Sequence, residues 1–256
     1  MKIKWIFILL FTIIISTSFH YKWGFYGHRR INRMAVFTLP PEMIGFYKKN
    51  IEYITEHSVD PDKRRYATKH EAPRHYIDID RYDVYPFNKV PRDWTDALMR
   101  YTDIYMINME GDTVQLFGNE LIETDGQFVR SRSGAVVEQR AYRSFFTQNI
   151  LKQYYEEEWF IAKDSLTYLV GYDIPCQSVF AVDRFSEHGI LPYHLLVMQR
   201  NLTEAFRQKN TARILRLSAE MGHYIGDAHV PLHTTENYNG QLSNQLGIHA
   251  FWESRL

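Results

Sequence analysis

The chain has 256 residues, 45% of them apolar, which is enough to form a sizeable hydrophobic core. Its 30 Lys and Arg residues balance 30 Asp and Glu residues. This balance argues against tight nucleic-acid binding through a basic surface, because few counterions would be released. Cys176 is the only cysteine, so the chain cannot form an internal disulfide, and we expect Cys176 to be a small core residue.

The N-terminus has the pattern of a signal peptide over residues 1–22. Lys2 and Lys4 precede an apolar run over residues 5–15, and small residues follow this run. The run is too short to span a bilayer, which favours cleavage over a permanent anchor. We place the cleavage site at 18/19 or 22/23 and expect an exported protein, either secreted or periplasmic.

Helical spacing of apolar residues predicts helices over 28–38 and 41–54, which Pro40 and Pro41 divide. A further helix is expected over 93–106.

In the middle of the chain, Asp125-Gly126 between apolar flanks predicts a β-hairpin, and residues 144–159 again have a helical pattern. Pro192 opens a helix that reaches about residue 209, and Asn210 is expected to cap the next. The sequence therefore predicts a mainly α fold.

Five residues near the C-terminus have side chains and spacing typical of metal ligands. His223 and Asp227 are four residues apart, and so are His249 and Glu253, so each pair projects from one face of a helix. His233 lies between the pairs, in a predicted loop. A single such pair is usually a surface hydrogen bond. Two pairs with a histidine between them favour a centre that binds more than one metal ion, and imidazole with carboxylate suits zinc.

Together with WGFYGH at residue 23 and VDPDKRRYATKHEAPRHYID at residues 59–78, this segment resembles the superfamily of zinc-dependent nucleases and phospholipases C. That superfamily includes the single-strand-specific nucleases of fungi and plants and the bacterial zinc-dependent phospholipases C. The resemblance implies three zinc ions, two of them bridged by one aspartate, Asp227. The implied ligands are Trp23 and His28 for the first ion, Asp60, His75, His223 and Asp227 for the second, and His233, His249 and Glu253 for the third.

The resemblance also implies roles in substrate binding. HYID corresponds to HFID in the nucleases, in which the aromatic ring stacks on a base and the aspartate lies beside the reacting phosphate. These roles fall to Tyr76 and Asp78. The nucleases carry an arginine three residues after the aspartate ligand, whereas this chain has Lys63, which can neutralise a phosphate but cannot bind it bidentately.

The resemblance further implies a single helical domain over residues 23–256, of the phospholipase C and zinc nuclease type. Residues 108–186 would be an insertion in this domain and would contain the β-hairpin. The family continues beyond the last ligand helix, so we expect a C-terminal truncation. In the family the mature N-terminal amine of the tryptophan binds zinc, which requires cleavage at 22/23.

The motifs do not all favour one branch of the superfamily. The spacing from Trp23 to His28 and the HYID motif favour a nuclease, whereas Glu253 and the short step from His233 to His249 favour a phospholipase. We expect a zinc-dependent phosphodiesterase, a nuclease of single-stranded DNA or RNA in which a zinc-held hydroxide attacks phosphorus. Zinc-dependent phospholipase C is the alternative, and an inactive, zinc-stabilised exported protein is a third interpretation. No obligate protein partner is expected.

Overall fold

The structure, a computed structural model, describes residues 23–118, 127–132 and 134–255. About 54% of the described residues are helical and 12% lie in strands, which confirms a mainly α protein. The predicted signal peptide and the predicted turn at Asp125-Gly126 lie outside the described residues. No helix in the described ranges combines the length and apolar character that crossing a membrane requires.

The helices, in chain order, are α1 (Trp23–Val36), α2 (Pro41–Lys49), α3 (Ile51–Glu56), α4 (Asp60–Arg64), α5 (Trp94–Arg100), α6 (Gln139–Asn149), α7 (Lys163–Val170), α8 (Leu191–Arg207), α9 (Thr211–Ala228) and α10 (Ile248–Arg255). The strands are β1 (Thr102–Ile107), β2 (Thr113–Phe117), β3 (Phe128–Arg130), β4 (Val136–Glu138), β5 (Trp159–Ile161) and β6 (Ser178–Asp183).

The described residues form two compact units, and the single domain predicted over 23–256 stays a prediction. Among the described residues, unit 1 comprises 23–67 and 195–255, and unit 2 comprises those between Thr68 and His194. The predicted insertion at 108–186 is therefore part of a larger unit that already begins at Thr68.

The predicted helices at both ends of the chain are present as α1, α2 with α3, α8 and α9. The helix predicted over 93–106 is wrong in its second half, because α5 ends at Arg100 and residues 102–107 form β1. Each residue of β1 pairs with a residue of β6, so tertiary pairing outweighs the local helical pattern. The helix predicted over 144–159 is also too long, since α6 ends at Asn149 and Trp159 begins β5.

Unit 2 contains an antiparallel sheet of order β2-β1-β6-β5 and a separate pair, β3 with β4. One face of the larger sheet packs into a core with α5 and α6, where Leu98, Ile104 and Phe146 are fully buried. The pair of β3 and β4 is a hairpin inside the range 108–186, and it turns near Gly134, whose φ of 86° favours glycine.

Unit 1 is a helical assembly in which α1 packs against α3 and α9. Asn32 of α1 is only 3% exposed, and its Nδ2 donates to the carbonyls of Ala219 at 2.8 Å and Ile54 at 3.4 Å. A Cβ on Gly222 would lie 2.1 Å from Asn32 Oδ1. The absence of a side chain at Gly222 therefore lets α1 approach α9 closely enough for Asn32 to connect three helices.

We predict that Gly222→Ala destabilises the protein by about 1–3 kcal/mol, because the added methyl group displaces the buried Asn32 amide. Gly45→Ala is the matched control, since Gly45 also lies in a helix but its Cβ would meet nothing within 4 Å. The control should be neutral or raise the free energy of unfolding by up to about 1 kcal/mol. Urea denaturation measures both changes, and equal stability of the two variants would contradict the proposed contact.

Candidate metal centres in unit 1

The first group of candidate ligands lies on α1 and α9. The Asn210 side chain accepts a hydrogen bond from the Arg213 amide and so caps α9, as the sequence predicts. One helical turn separates His223 from Asp227, and both side chains are buried, with exposures of 0% and 3%. His28 of α1 completes the group, in which the ligand-type atoms lie within 4.8 Å of one another.

Asp227 lies between two imidazoles, and each carboxylate oxygen faces a different one. Its Oδ1 is 3.3 Å from His28 Nε2, and its Oδ2 is 3.3 Å from His223 Nε2. The two rings stack with centroids 3.8 Å apart and planes at 25°. One carboxylate therefore faces imidazole nitrogens on both helices.

A backbone carbonyl sets the tautomer of His223. Its Nδ1 lies 2.8 Å from the carbonyl oxygen of Ser58, which can only accept a hydrogen bond, so Nδ1 carries the proton. When the ring is neutral, Nε2 therefore presents a lone pair to the Asp227 carboxylate. Two acceptors then face each other, and a shared cation or a second proton on the ring stabilises them. Histidine ligands of metals typically have this arrangement, with the second nitrogen held by a carbonyl.

The second group consists of His233, His249 and Glu253, again with ligand-type atoms within 4.8 Å of one another. Glu253 Oε1 is 2.9 Å from His249 Nε2 and 3.3 Å from His233 Nε2. His249 Nδ1 lies 3.3 Å from the carbonyl oxygen of Tyr238.

Glu253 is the anionic member of the second group. Burial raises the pKa of its carboxyl, but hydrogen bonds from His233 and His249 outweigh burial and bring the pKa to about 2. The group is therefore ionised at neutral pH. A carboxylate with two imidazole nitrogens is a donor set that could hold a metal ion.

Asp62 is the aspartate of α4 that approaches His223, with its Oδ1 3.8 Å from His223 Nε2. The sequence assigned this role to Asp60, but Asp60 belongs to none of the candidate metal groups in the described residues. Its two oxygens face Lys63 Nζ at 2.8 Å and His57 Nδ1 at 2.5 Å. Burial raises the pKa of Asp60, but these two hydrogen bonds outweigh it and hold the pKa below its usual value.

A cleft of about 290 Å³ in unit 1 is lined by one carboxylate from α4 and one from α10. Asp62 and Glu253 line it together with residues from the start of α1 and from the end of α4. Arg65 and Tyr66 also line it, and the Tyr66 ring is 91% exposed. Trp23 begins α1, and a Cβ on the next residue, Gly24, would lie 3.8 Å from Glu253 Oε2. Trp23, the predicted N-terminal ligand, thus directly precedes in the chain a residue that lies beside Glu253 of the second group.

The other predicted site residues lie in unit 2. His75 ends a 3-10 turn, is 1% exposed, and has its Nε2 3.8 Å from Glu71 Oε1. Tyr76 donates its hydroxyl hydrogen to the Glu187 carbonyl at 2.9 Å. Asp78 is 9% exposed, with its Oδ2 3.6 Å from His188 Nδ1. The roles assigned to His75, Tyr76 and Asp78 stay predictions.

Sequence reasoning missed three features of the unit 1 site. It missed the Ser58 carbonyl because any residue type supplies one. It assigned the aspartate ligand to Asp60 without considering Asp62, and it did not single out Arg65. The histidines at 70, 188 and 229, which the family pattern leaves without a ligand role, also lie outside the candidate metal groups of the described residues.

Comparison of the chain with protein-family models, curated proteins and solved structures finds no match.

We predict that Asp227→Asn lowers the number of metal ions bound per chain by at least one, because the amide removes the charge that both imidazoles face. His229→Ala is the matched control: this exposed histidine caps the same helix, and its Nδ1 faces the Ile225 carbonyl at 2.7 Å. Elemental analysis after metal loading and dialysis measures both variants. Equal losses in the two variants would rule out Asp227 as the shared ligand.

Proposed function

We propose that the chain is an exported, zinc-dependent phosphodiesterase of the nuclease and phospholipase C fold type, and that its substrate is single-stranded DNA or RNA. One observation carries the proposal. In unit 1, His223 and His249 each direct Nε2 at the carboxylate four residues later, while Nδ1 is held by a backbone carbonyl. Two such pairs, each joined by a further histidine, form donor sets that suit zinc.

The chain's own residues would bind and separate the ions. Asp227 would bridge, since its two oxygens face His28 and His223. His233, His249 and Glu253 would hold another ion, and Trp23 and His75 stay the predicted remaining ligands of a three-ion centre. Zinc supplies a Lewis acid and a bound water whose pKa falls to about 7.

We propose that Asp62 replaces Asp60 as the aspartate ligand, because Asp62 is the one that approaches His223. This choice also changes the phosphate contact. The residue three positions after Asp62 is Arg65, which is the residue type that the nuclease pattern places there. Arg65 lines the cleft with its Nη1 3.8 Å from Asp62 Oδ1, whereas the Lys63 ammonium donates to Asp60. A guanidinium can bind a phosphate bidentately, which an ammonium cannot.

The cleft also offers a contact for a base. Tyr66 lies beside Arg65 with its ring 91% exposed, and an exposed ring can stack on any nucleobase. Stacking and zinc–phosphate contacts fit a protein whose formal net charge is zero and which therefore gains little from counterion release.

The proposed function predicts close to three zinc ions per chain for protein that begins at Trp23, and cleavage of single-stranded DNA and RNA. Elemental analysis and a polynucleotide assay measure the two properties. If the protein hydrolyses phosphatidylcholine and leaves polynucleotides uncut, it is a phospholipase C and not a nuclease. Bound zinc without either activity would support the third interpretation, an inactive zinc-stabilised protein.

The choice between the two aspartates gives a second prediction. Asp62→Asn should lower zinc occupancy and reduce cleavage by at least about tenfold, as changes close to a metal typically do. Asp60→Asn is matched in chemistry and lies two residues away, and it should keep its zinc because its carboxylate faces Lys63 and His57. Occupancy measured alongside cleavage separates lost metal from other damage. If Asp60→Asn loses more zinc and more activity than Asp62→Asn, Asp60 is the aspartate ligand instead.

A further inference from the structure

Unit 2 contains a cavity of about 690 Å³ that the proposed zinc chemistry does not use. Its volume is that of a typical pocket for a small organic molecule. The strands β5 and β6 line it, together with the acidic turn that precedes β5 and residues around 69–73 and 186–187.

The strand face in this cavity is aromatic. Phe160 of β5 pairs directly with Phe180 of β6, which in turn pairs with Tyr105 of β1. The rings of Phe180 and Tyr105 stack with centroids 5.5 Å apart, and Phe160 is 59% exposed. The face of an antiparallel sheet that is turned away from the core is commonly polar. An aromatic row here therefore provides a surface on which an apolar group can pack.

The rim of the cavity is strongly acidic. Glu156, Glu157 and Glu158 are consecutive and exposed, and within the described part of the chain none of them forms an ion pair. Asp183 and Glu187 add two more carboxylates. Adjacent like charges repel one another, so a cation at this rim lowers the electrostatic energy.

The basic residues of the lining do not offset this charge. Lys69 is the only lysine or arginine among them. His70 also lines the cavity, but burial, followed by the nearby Lys69 and Arg74, lowers the pKa of its imidazole, which favours the neutral ring. The lining therefore disfavours anions, including nucleic acid.

The exposed edge of β5 is already capped, which disfavours an added peptide strand. The Gln153 side chain donates to the Phe160 carbonyl at 2.8 Å and accepts from the Phe160 amide at 3.0 Å. These are the backbone groups that an incoming strand would use. Recognition at this cavity must therefore come from its aromatic face and its acidic rim.

We propose that this cavity is a binding site for an organic cation with an apolar or aromatic body. The body packs on Phe160 and Phe180, and the positive group lies near Glu156, Glu157 and Glu158. Cations are attracted both by carboxylates and by the faces of aromatic rings, so the two parts of the cavity act together. Cation binding here would not require zinc or the proposed phosphodiesterase activity.

Isothermal titration calorimetry of the full chain with benzyltrimethylammonium tests the proposal. Benzyl alcohol and benzenesulfonate serve as neutral and anionic ligands with the same ring. The cation should bind at least about tenfold more tightly than either, and its affinity should fall as ionic strength rises, because salt screens the rim. Equal affinity for the cation and the alcohol, or no binding of the cation, would overturn the proposal.

Two variants locate the binding. The triple variant Glu156→Gln, Glu157→Gln, Glu158→Gln should weaken binding of the cation about tenfold or more, and Phe160→Ala should weaken it too. The control variant Glu42→Gln, Glu138→Gln, Asp164→Asn makes the same charge change at exposed residues outside the cavity and should bind as the wild type does. Circular dichroism verifies that each variant is folded. Equal loss in the test and control variants would mean that the cation responds only to net charge, which would contradict a site in this cavity.

Discussion

Close contact between α1 and α9 is the constraint on which the first group of candidate metal ligands depends. Two glycines one helical turn apart on α9, Gly222 and Gly226, leave room for two α1 side chains that are also one turn apart. A Cβ on Gly222 would lie 2.1 Å from Asn32 Oδ1, and one on Gly226 would lie 3.2 Å from His28 Nδ1. Because both glycines lack side chains, His28 can stack on His223 at 3.8 Å. The close packing of α1 on α9 therefore also places His28 beside His223.

The two backbone carbonyls explain why the histidine–carboxylate pairs differ from ordinary surface pairs. An imidazole whose Nδ1 proton is used by a carbonyl can donate to the carboxylate only if it is protonated twice. In the pair of His223 with Asp227, a ring with this single proton turns an acceptor nitrogen towards the carboxylate, and a metal ion between them would remove this conflict. Metal binding would then also stabilise the fold, since His28 and Asp227 lie on different helices. A chain whose only cysteine is buried has no disulfide to do this.

The local spacing of residues was enough to predict that each C-terminal histidine lies beside the carboxylate four residues later, because positions i and i+4 of a helix share a face whatever surrounds them. The choice between Asp60 and Asp62 could not be made in this way. Both lie in α4, a single helical turn, and only the position of His223 decides which carboxylate approaches it. The error at β1 has a similar cause. Residues 102–107 are apolar enough to suit a helix or a strand, and their pairing with β6, more than 70 positions away in the chain, determines the strand.

The formal net charge of zero does not tell which charges surround each candidate site, because the two sites are lined by different charged residues. The unit 1 cleft has Arg65 beside two carboxylates that are disposed to hold cations, so with metal bound it would suit an anionic phosphodiester. The unit 2 cavity has five carboxylates and one lysine around an aromatic face, which suits a cation. Since the field near a site depends on charges within about 10 Å of it, distant charges that bring the total to zero do not cancel it. The overall balance is therefore compatible with two sites that select ligands of opposite sign.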